Sequence, residues 1–148
     1  MKLRTRARYS VRMMMAIAKL SLDGHPVGLG SVSRHCGVTR RYLDQLVTPL
    51  RNAKLVRAFS GREGGYTLGR PAEDIKVGDI IEAAIGAIAV ADCAIDSDSC
   101  IHAEYCNCRG LWTLINHKIN EVLDEYSLED ILADDWSKTV EKELSAMA

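Results

Sequence analysis

Four of the chain's five cysteines lie within residues 93–108, with the spacing C-x6-C-x5-C-x-C. Such a group commonly forms a disulfide framework, a zinc site or an iron–sulfur site. The basic, polar start MKLRTRARYSVR is unlike a secretion signal, so we expect a reducing cytoplasm, where stable disulfides are rare. Zinc sites favour paired C-x2-4-C knuckles, and this spacing has none. The pattern favours an iron–sulfur site, with zinc, a thiol redox switch and no cofactor as alternatives.

The charge of the chain is divided sharply between its two halves. Residues 1–70 carry 14 Lys and Arg against 3 Asp and Glu, whereas residues 71–148 carry 5 against 17. The overall net charge of −1 hides this separation. A strongly basic half indicates a polyanionic partner, and we expect the first half to bind nucleic acid. The longest apolar run, residues 83–91, is too short to span a membrane, so we expect a soluble protein.

The first half contains the spacing of a helix-turn-helix. An apolar stripe that ends at Leu22 predicts a first helix over residues 8–22. Further along, we expect Gly37 to separate two short helices, with caps at Ser31 and Thr39. The apolar residues of the second helix share one face and its polar residues the other. Pro49 should kink or end this helix near residues 45–48.

Short alternating segments at residues 56–59 and 66–68 flank a glycine-rich tip and predict a β-hairpin. A hairpin after a helix-turn-helix is the wing of a winged helix. Arg, Gln and Asp can recognise base edges in the major groove, and an arginine at the wing tip can enter a narrow minor groove. The residues expected to contact DNA are Thr39, Arg40, Arg41, Asp44, Gln45, Arg51 and, in the wing, Arg62.

The second half reads as helices around the cysteine loop. We expect one helix over residues 75–91 and another over residues 110–126, followed by a final helical segment from Ser127. The apolar stripe of the 110–126 helix is wide, which favours packing against the same helix of a second subunit; intrachain packing is the alternative. The predicted fold class is mainly α with a small β-hairpin wing. Residues 1–70 would form a winged helix-turn-helix DNA-binding region, and residues 71–148 a cluster-binding loop (92–108) with dimerisation helices.

Several segments resemble a known family. They are RYSVRMM, GVTRRYLDQL with PLRNAKLV, SGREGGYTLGR and VGDIIEA, together with Cys93, Cys100, Cys106 and the following Leu111-Trp112. In this combination the chain resembles the iron–sulfur winged-helix regulators typified by IscR and NsrR. The resemblance implies a winged helix with a long C-terminal dimerisation helix. It also implies that the cluster loop lies beside that helix, near the DNA-binding head of the partner subunit.

The chain departs from this family at the expected fourth ligand. Arg109 stands where IscR-like members have a histidine, and Arg8 stands where NsrR-like members have an acidic residue. Cys108 has no counterpart in the family and is our first candidate for the fourth ligand, because a thiolate suits iron. His102 is the second candidate, ahead of an external ligand, an acidic side chain or the partner subunit. The predicted metal ligands are Cys93, Cys100, Cys106 and Cys108.

Together these features predict a homodimeric, cytoplasmic transcription regulator that binds double-stranded DNA at a palindromic operator. It would sense iron–sulfur status, redox state or nitric oxide through a cysteine-ligated cluster, with [2Fe-2S] favoured over [4Fe-4S]. The alternative is a winged-helix regulator with structural zinc or no cofactor, which senses through a partner protein or thiol oxidation. No pair of catalytic base and nucleophile is evident, so we do not expect an enzyme.

Overall fold

The computed structural model describes residues 2–148, so residue 1 of the predicted DNA-binding region lies outside it. The predicted mainly helical fold with one antiparallel hairpin is confirmed. Within the described residues, no helix is both long and apolar enough to cross a membrane. The elements are α1 (Thr5–Leu20), α2 (Leu29–Cys36), α3 (Arg40–Asn52), β1 (Val56–Phe59), β2 (Gly65–Leu68), α4 (Val77–Ile85), α5 (Asn107–Glu125), α6 (Leu128–Leu132) and α7 (Trp136–Met147).

One apolar core holds α1, α2, α3 and α4 together. Met13 and Ile17 of α1 and Leu43, Leu46 and Leu50 of α3 are completely buried in it. Burying a side chain of this size stabilises the fold by roughly 1.5–3 kcal/mol. The core therefore fixes α3 so that its other face points away from the protein.

The predicted apolar face of α1 was wrong at its far end. Leu22 is 83% exposed, because the helix ends at Leu20 before the Asp23-Gly24 turn. Met13 and Ile17 take the buried positions instead.

The helix-turn-helix forms around the predicted glycine. Gly37 follows α2 with φ of 68°, a left-handed conformation in which side chains other than glycine are strained. Ser31 does not cap α2, which begins at Leu29 after Gly28. Thr39 is the N-cap residue of α3, as predicted, but its side chain makes no capping hydrogen bond. The helix does not end before Pro49, which was one of the two predicted outcomes, because α3 continues through Pro49 to Asn52. The proline lies in the last turn, where the buried Leu46 and Leu50 on either side hold the helix against the core.

The wing is a hairpin in which Val56 pairs with Leu68 and Phe59 with Gly65. Tyr66 also pairs with Val27, and their backbone N–H groups donate to each other's carbonyls at 2.9 Å. This bridge attaches the wing to the segment between α1 and α2. Gly65 is required there, because a Cβ atom at this position would lie 2.5 Å from the Val27 carbonyl oxygen.

The helices of the second half are more interrupted than predicted. α4 ends at Ile85 because Gly86 adopts a φ of 83°, so the helix expected over residues 75–91 is six residues shorter at its carboxyl end. The cysteine loop contains three short 3₁₀ turns, at Asp92–Ala94, Ser97–Ser99 and Ala103–Tyr105. α5 begins at Asn107, three residues before the predicted start.

The final helical segment is divided into α6 and α7 by extended backbone at Ala133. Ser127 and Asp130 form the predicted capping box at the start of α6. Hydrogen bonds from the Ser127 backbone and side chain lower the pKa of the Asp130 carboxyl from its ordinary value.

The end of α5 is tied back to the head by the backbone. The Val77 N–H donates to the Tyr126 carbonyl at 3.0 Å, and the Leu128 N–H donates to the Ile75 carbonyl at 2.7 Å. Leu128, Ile75 and Ile80 are buried in the same core as the helix-turn-helix. The helix that follows the cysteine loop is thus anchored to the helix-turn-helix of its own chain.

We predict that Gly65→Ala destabilises the protein by about 1–3 kcal/mol, since the new methyl group would overlap the Val27 backbone. Urea unfolding would measure the change. Gly28→Ala is the matched control: Gly28 has a φ of −74° and open space around a Cβ, so its effect should stay within about 0.5 kcal/mol. Equal effects of the two substitutions would contradict the close approach at Gly65.

Candidate functional site

The residues predicted to contact DNA form the solvent-facing side of α3 and the wing tip. Leu43, Leu46 and Leu50 are fully buried on the opposite side of α3. Because that face is fixed to the core, the polar face is available as a continuous surface. The seven predicted residues are all exposed: Thr39, Arg40, Arg41, Asp44, Gln45, Arg51 and Arg62.

The charged side chains of this surface have no ion-pair partner within residues 2–148. The ion pairs of the described residues join Arg70 to Asp79, and both His117 and Lys118 to Glu121. None of them includes a residue of α3 or the wing tip. The guanidinium groups of this surface can therefore bind phosphates or base edges without first breaking an internal ion pair.

α1 adds a cation at the helix-turn-helix that the predicted set omitted. The Arg12 guanidinium lies 5.8 Å from the centre of the Tyr9 ring, which packs edge-on against Tyr42 of α3 at 5.9 Å. An Arg12 Nη lies 3.9 Å from the place that a Cβ atom of Gly37 would occupy. The first basic segment of the sequence was the signal for this placement, but spacing alone did not single out Arg12.

The five cysteines fall into two environments. Cys36 is buried in the core of the head, whereas Cys93, Cys100 and Cys106 are half-buried in the loop. Cys108 is exposed in the first turn of α5. All five are free thiols. In the described part of the chain, no three His, Cys, Asp or Glu side chains are grouped closely enough to hold a metal ion.

The donor chemistry of the loop fits a soft metal centre. Three thiols with partial shielding from solvent lie on short turns that pack on one another and on α5. As thiolates, they are the ligands that iron–sulfur centres use. Cys93, Cys100 and Cys106 thus supply suitable donors, and binding would have to draw their turns together.

Cys108 is less favourably placed than the other three. Cys106 precedes the first residue of α5, and Cys108 lies inside the helix. Cys106 has extended backbone and is half-buried, whereas Cys108 is exposed in the first turn, so the two thiols lie in different environments. His102 is exposed at the start of the third 3₁₀ turn.

Two side chains of α5 fasten the base of the loop. The buried Asn116 accepts a hydrogen bond from the Val90 N–H through its Oδ1 at 3.1 Å. The half-buried Arg109 donates from Nε to the Cys93 carbonyl at 3.0 Å. These bonds fix where the chain enters the loop relative to the helix that follows it.

The outer side of α5 carries an apolar surface that its own chain leaves uncovered. Leu114 is 56% exposed and Val122 46% exposed. An exposed apolar stripe of this kind marks an interaction surface. The shallow groove along it is lined by Leu114, Ile115, Lys118, Ile119, Val122 and Leu123.

The model of the Rrf2 family, described as "Iron-dependent Transcriptional regulator", matches residues 3–134. The chain belongs to the Rrf2 family. This confirms the resemblance to regulators of the IscR and NsrR type. A member of this family is a DNA-binding transcription regulator and not an enzyme.

The similar proteins include transcriptional regulators named CymR and IscR. The HTH-type transcriptional regulator CymR of Bacillus subtilis is 37% identical over 131 residues, which cover 88% of this chain and 89% of CymR. IscR of Photobacterium profundum is 35% identical over 134 residues, covering 90% of this chain and 77% of that protein.

Solved structures support the same fold. The solved structure of CymR, the global cysteine regulator of B. subtilis, matches with a TM-score of 0.72 and 36% identity. The match covers 89% of this chain and 96% of that one. T. potens IscR matches with a TM-score of 0.72 and 33% identity, covering 89% and 86%.

Proposed function

We propose that the protein is a homodimeric, cytoplasmic transcription regulator that senses iron–sulfur status, redox state or nitric oxide through a cysteine-ligated iron–sulfur cluster. The observation that carries this proposal is the placement of three half-buried thiols on a loop whose base is fastened to α5. α5 is in turn anchored to the DNA-facing head. The family is described as iron-dependent, which supports the same hypothesis.

DNA binding would use residues 1–70 as the recognition unit. α3 would enter the major groove with Arg40, Arg41, Asp44 and Gln45 towards the bases. Thr39 and Arg51, at the two ends of the helix, would contact the backbone. Arg62 would reach the minor groove from the wing. The excess of basic residues in this half would attract the phosphates and make binding strongly dependent on salt.

Residues 71–148 would form the sensing and assembly unit, with the cysteine loop at residues 92–108. Two copies would bury the apolar stripes of their α5 helices against each other. A two-fold axis between them would present two α3 helices to a palindromic operator. The exposed Leu114 and Val122 are the basis for this arrangement.

Cys93, Cys100 and Cys106 would hold the cluster, with Cys108 as the first candidate for the fourth ligand and His102 as the second. We favour [2Fe-2S] over [4Fe-4S]. When bound, the cluster supplies an iron centre whose charge and integrity respond to iron supply, oxidants and nitric oxide. The protein's part is to shield three thiolates and to connect their loop, through α5, to the head.

A regulator without a cluster is the second candidate. Two observations favour it: within residues 2–148 the thiols are free and not grouped closely enough to hold a metal ion, and the similar protein CymR is the global cysteine regulator of B. subtilis. In this version the loop would respond through thiol oxidation or a partner protein, or would hold structural zinc. Metal and sulfide analysis of protein isolated without oxygen would distinguish these versions, since only the cluster requires acid-labile sulfide.

We predict that Arg41→Ala and Gln45→Ala each weaken operator binding by about 1–3 kcal/mol and relax its sequence preference. Both side chains are exposed on α3, so their removal should leave the core intact. Binding would be measured by fluorescence anisotropy on the operator and on scrambled DNA. Lys138→Ala removes an exposed cation on α7 and should change neither value. Unchanged affinity and preference in both α3 variants would exclude α3 as the recognition helix.

We predict that Leu114→Asp converts a dimer into a monomer, because a carboxylate would be buried without a partner in the α5 interface. Sedimentation velocity would report the state of assembly. Leu144→Asp is the control, since Leu144 is similarly exposed, at 62%, on α7. A Leu114→Asp protein that stays dimeric, or a wild type that is monomeric, would refute assembly through this face.

We predict that Cys93→Ala, Cys100→Ala and Cys106→Ala each abolish the cluster, as judged by iron and sulfide content after anaerobic isolation. Cys36→Ala should retain it, since Cys36 lies in the core of the head. Cys108→Ala should keep a labile cluster with an altered absorption spectrum. If the spectrum and lifetime are the same with and without Cys108, this residue is not a ligand.

A further inference from the structure

Arg109 is the only Lys or Arg between Lys76 and Lys118, a stretch that contains six Asp and Glu and all four loop cysteines. The loop itself, residues 92–108, contains four of those acidic residues and no Lys or Arg. Every thiolate formed there would add to an uncompensated negative charge. Arg109 comes directly after the last cysteine. It is therefore the nearest cation in the sequence that can offset this negative charge.

In the structure, the Arg109 side chain contacts the loop. Arg109 lies in the first turns of α5, yet its Nε bonds the carbonyl of Cys93, sixteen residues earlier, at 3.0 Å. It also lines an open pocket of about 510 Å³ on the loop, together with Asp98, Cys100 and Glu104. The side chain is half-buried, so its charge is partly shielded from water.

This placement joins the start of the loop to its end. Cys93 is held by the hydrogen bond, and Cys106 comes directly before the helix that carries Arg109. Closing a loop in advance removes part of the entropy that a ligand would otherwise have to overcome when it gathers distant donors. The positive charge acts in the same direction, because thiolates are anionic.

We infer that Arg109 is a positioning residue for a soft-metal site made by Cys93, Cys100 and Cys106. It closes the loop through the Cys93 carbonyl and offsets the charge of the thiolates without binding the metal itself. The inference rests on the proposed function for the identity of the ligands. It adds that the affinity of the thiols for a metal depends on a side chain with no ligand atom.

The test is titration of the metal-free, reduced protein with Co²⁺, which gives an absorption band characteristic of thiolate coordination. We expect Arg109→Ala to bind Co²⁺ about 10–100-fold more weakly, as is usual when a partner outside the ligand shell is removed. Arg109→Lys, which keeps the charge but not the Nε hydrogen bond, should recover part of the affinity. Lys118→Ala removes the next cation along α5 and should bind as the wild type does.

The thiolate band separates positioning from loss of structure. Arg109→Ala should keep its helical circular dichroism and, at saturating Co²⁺, the same thiolate band as the wild type. Equal Co²⁺ affinity in Arg109→Ala and wild type would overturn the inference, and so would a wild type that binds no Co²⁺ through thiolates. If the wild type binds Co²⁺ as expected but is isolated without iron or sulfide, the proposed cluster fails while the role of Arg109 stands.

Discussion

A single apolar core joins the helix-turn-helix to two points of the second half, Ile75 before α4 and Leu128 after α5. Leu128 and Ile75 from the second half are fully buried beside Leu43, Leu46 and Leu50 of α3. Because this core is shared, the segments that lead into α4 and out of α5 cannot move independently of the helix-turn-helix without exposing apolar surface. α4 also packs on both α3 and α5, so it connects the helix that follows the cysteine loop to the helix-turn-helix.

The opposite charges of the two halves have a structural counterpart in this arrangement. Among residues 2–148, the basic residues of α3 and the wing tip form no ion pairs, which suits binding to phosphates. The acidic loop follows α4 in the chain, and its first 3₁₀ turn packs on α5. The core joins these two oppositely charged regions, and the fastening bonds of Asn116 and Arg109 extend the connection into the loop.

The parts of the fold that depend on local signals were predictable. The turn at Gly37 and the hairpin follow from glycine positions and alternation, and the exposed face of α3 follows from its apolar spacing. The errors arose where periodicity continued past a break. The apolar run after Gly86 reads as helix, although the φ of 83° at that glycine ends α4. Pro49 was expected to interrupt α3. The burial of Leu46 and Leu50 outweighs the tendency of proline to end a helix.

The sequence predicts which residues could form the candidate site, but it does not predict their geometry. The cysteine spacing predicts Cys93, Cys100, Cys106 and Cys108 as donors, yet nothing in it shows that Cys108 lies inside α5 or that Arg109 reaches back to Cys93. Both depend on where the helix begins and how the loop folds over it, which are tertiary properties. The apolar stripe of α5 lies between these cases: its width was visible in the sequence, and the structure shows which of its residues the chain leaves exposed.

The most direct test of the central claim is Mössbauer spectroscopy of ⁵⁷Fe-enriched protein isolated without oxygen. A cluster held by Cys93, Cys100 and Cys106 predicts the spectrum of magnetically coupled, sulfur-ligated iron, and the number and type of iron sites would give the cluster type. Protein that contains no iron, or only mononuclear iron without thiolate ligation, would contradict the account and favour a regulator that senses without a cluster.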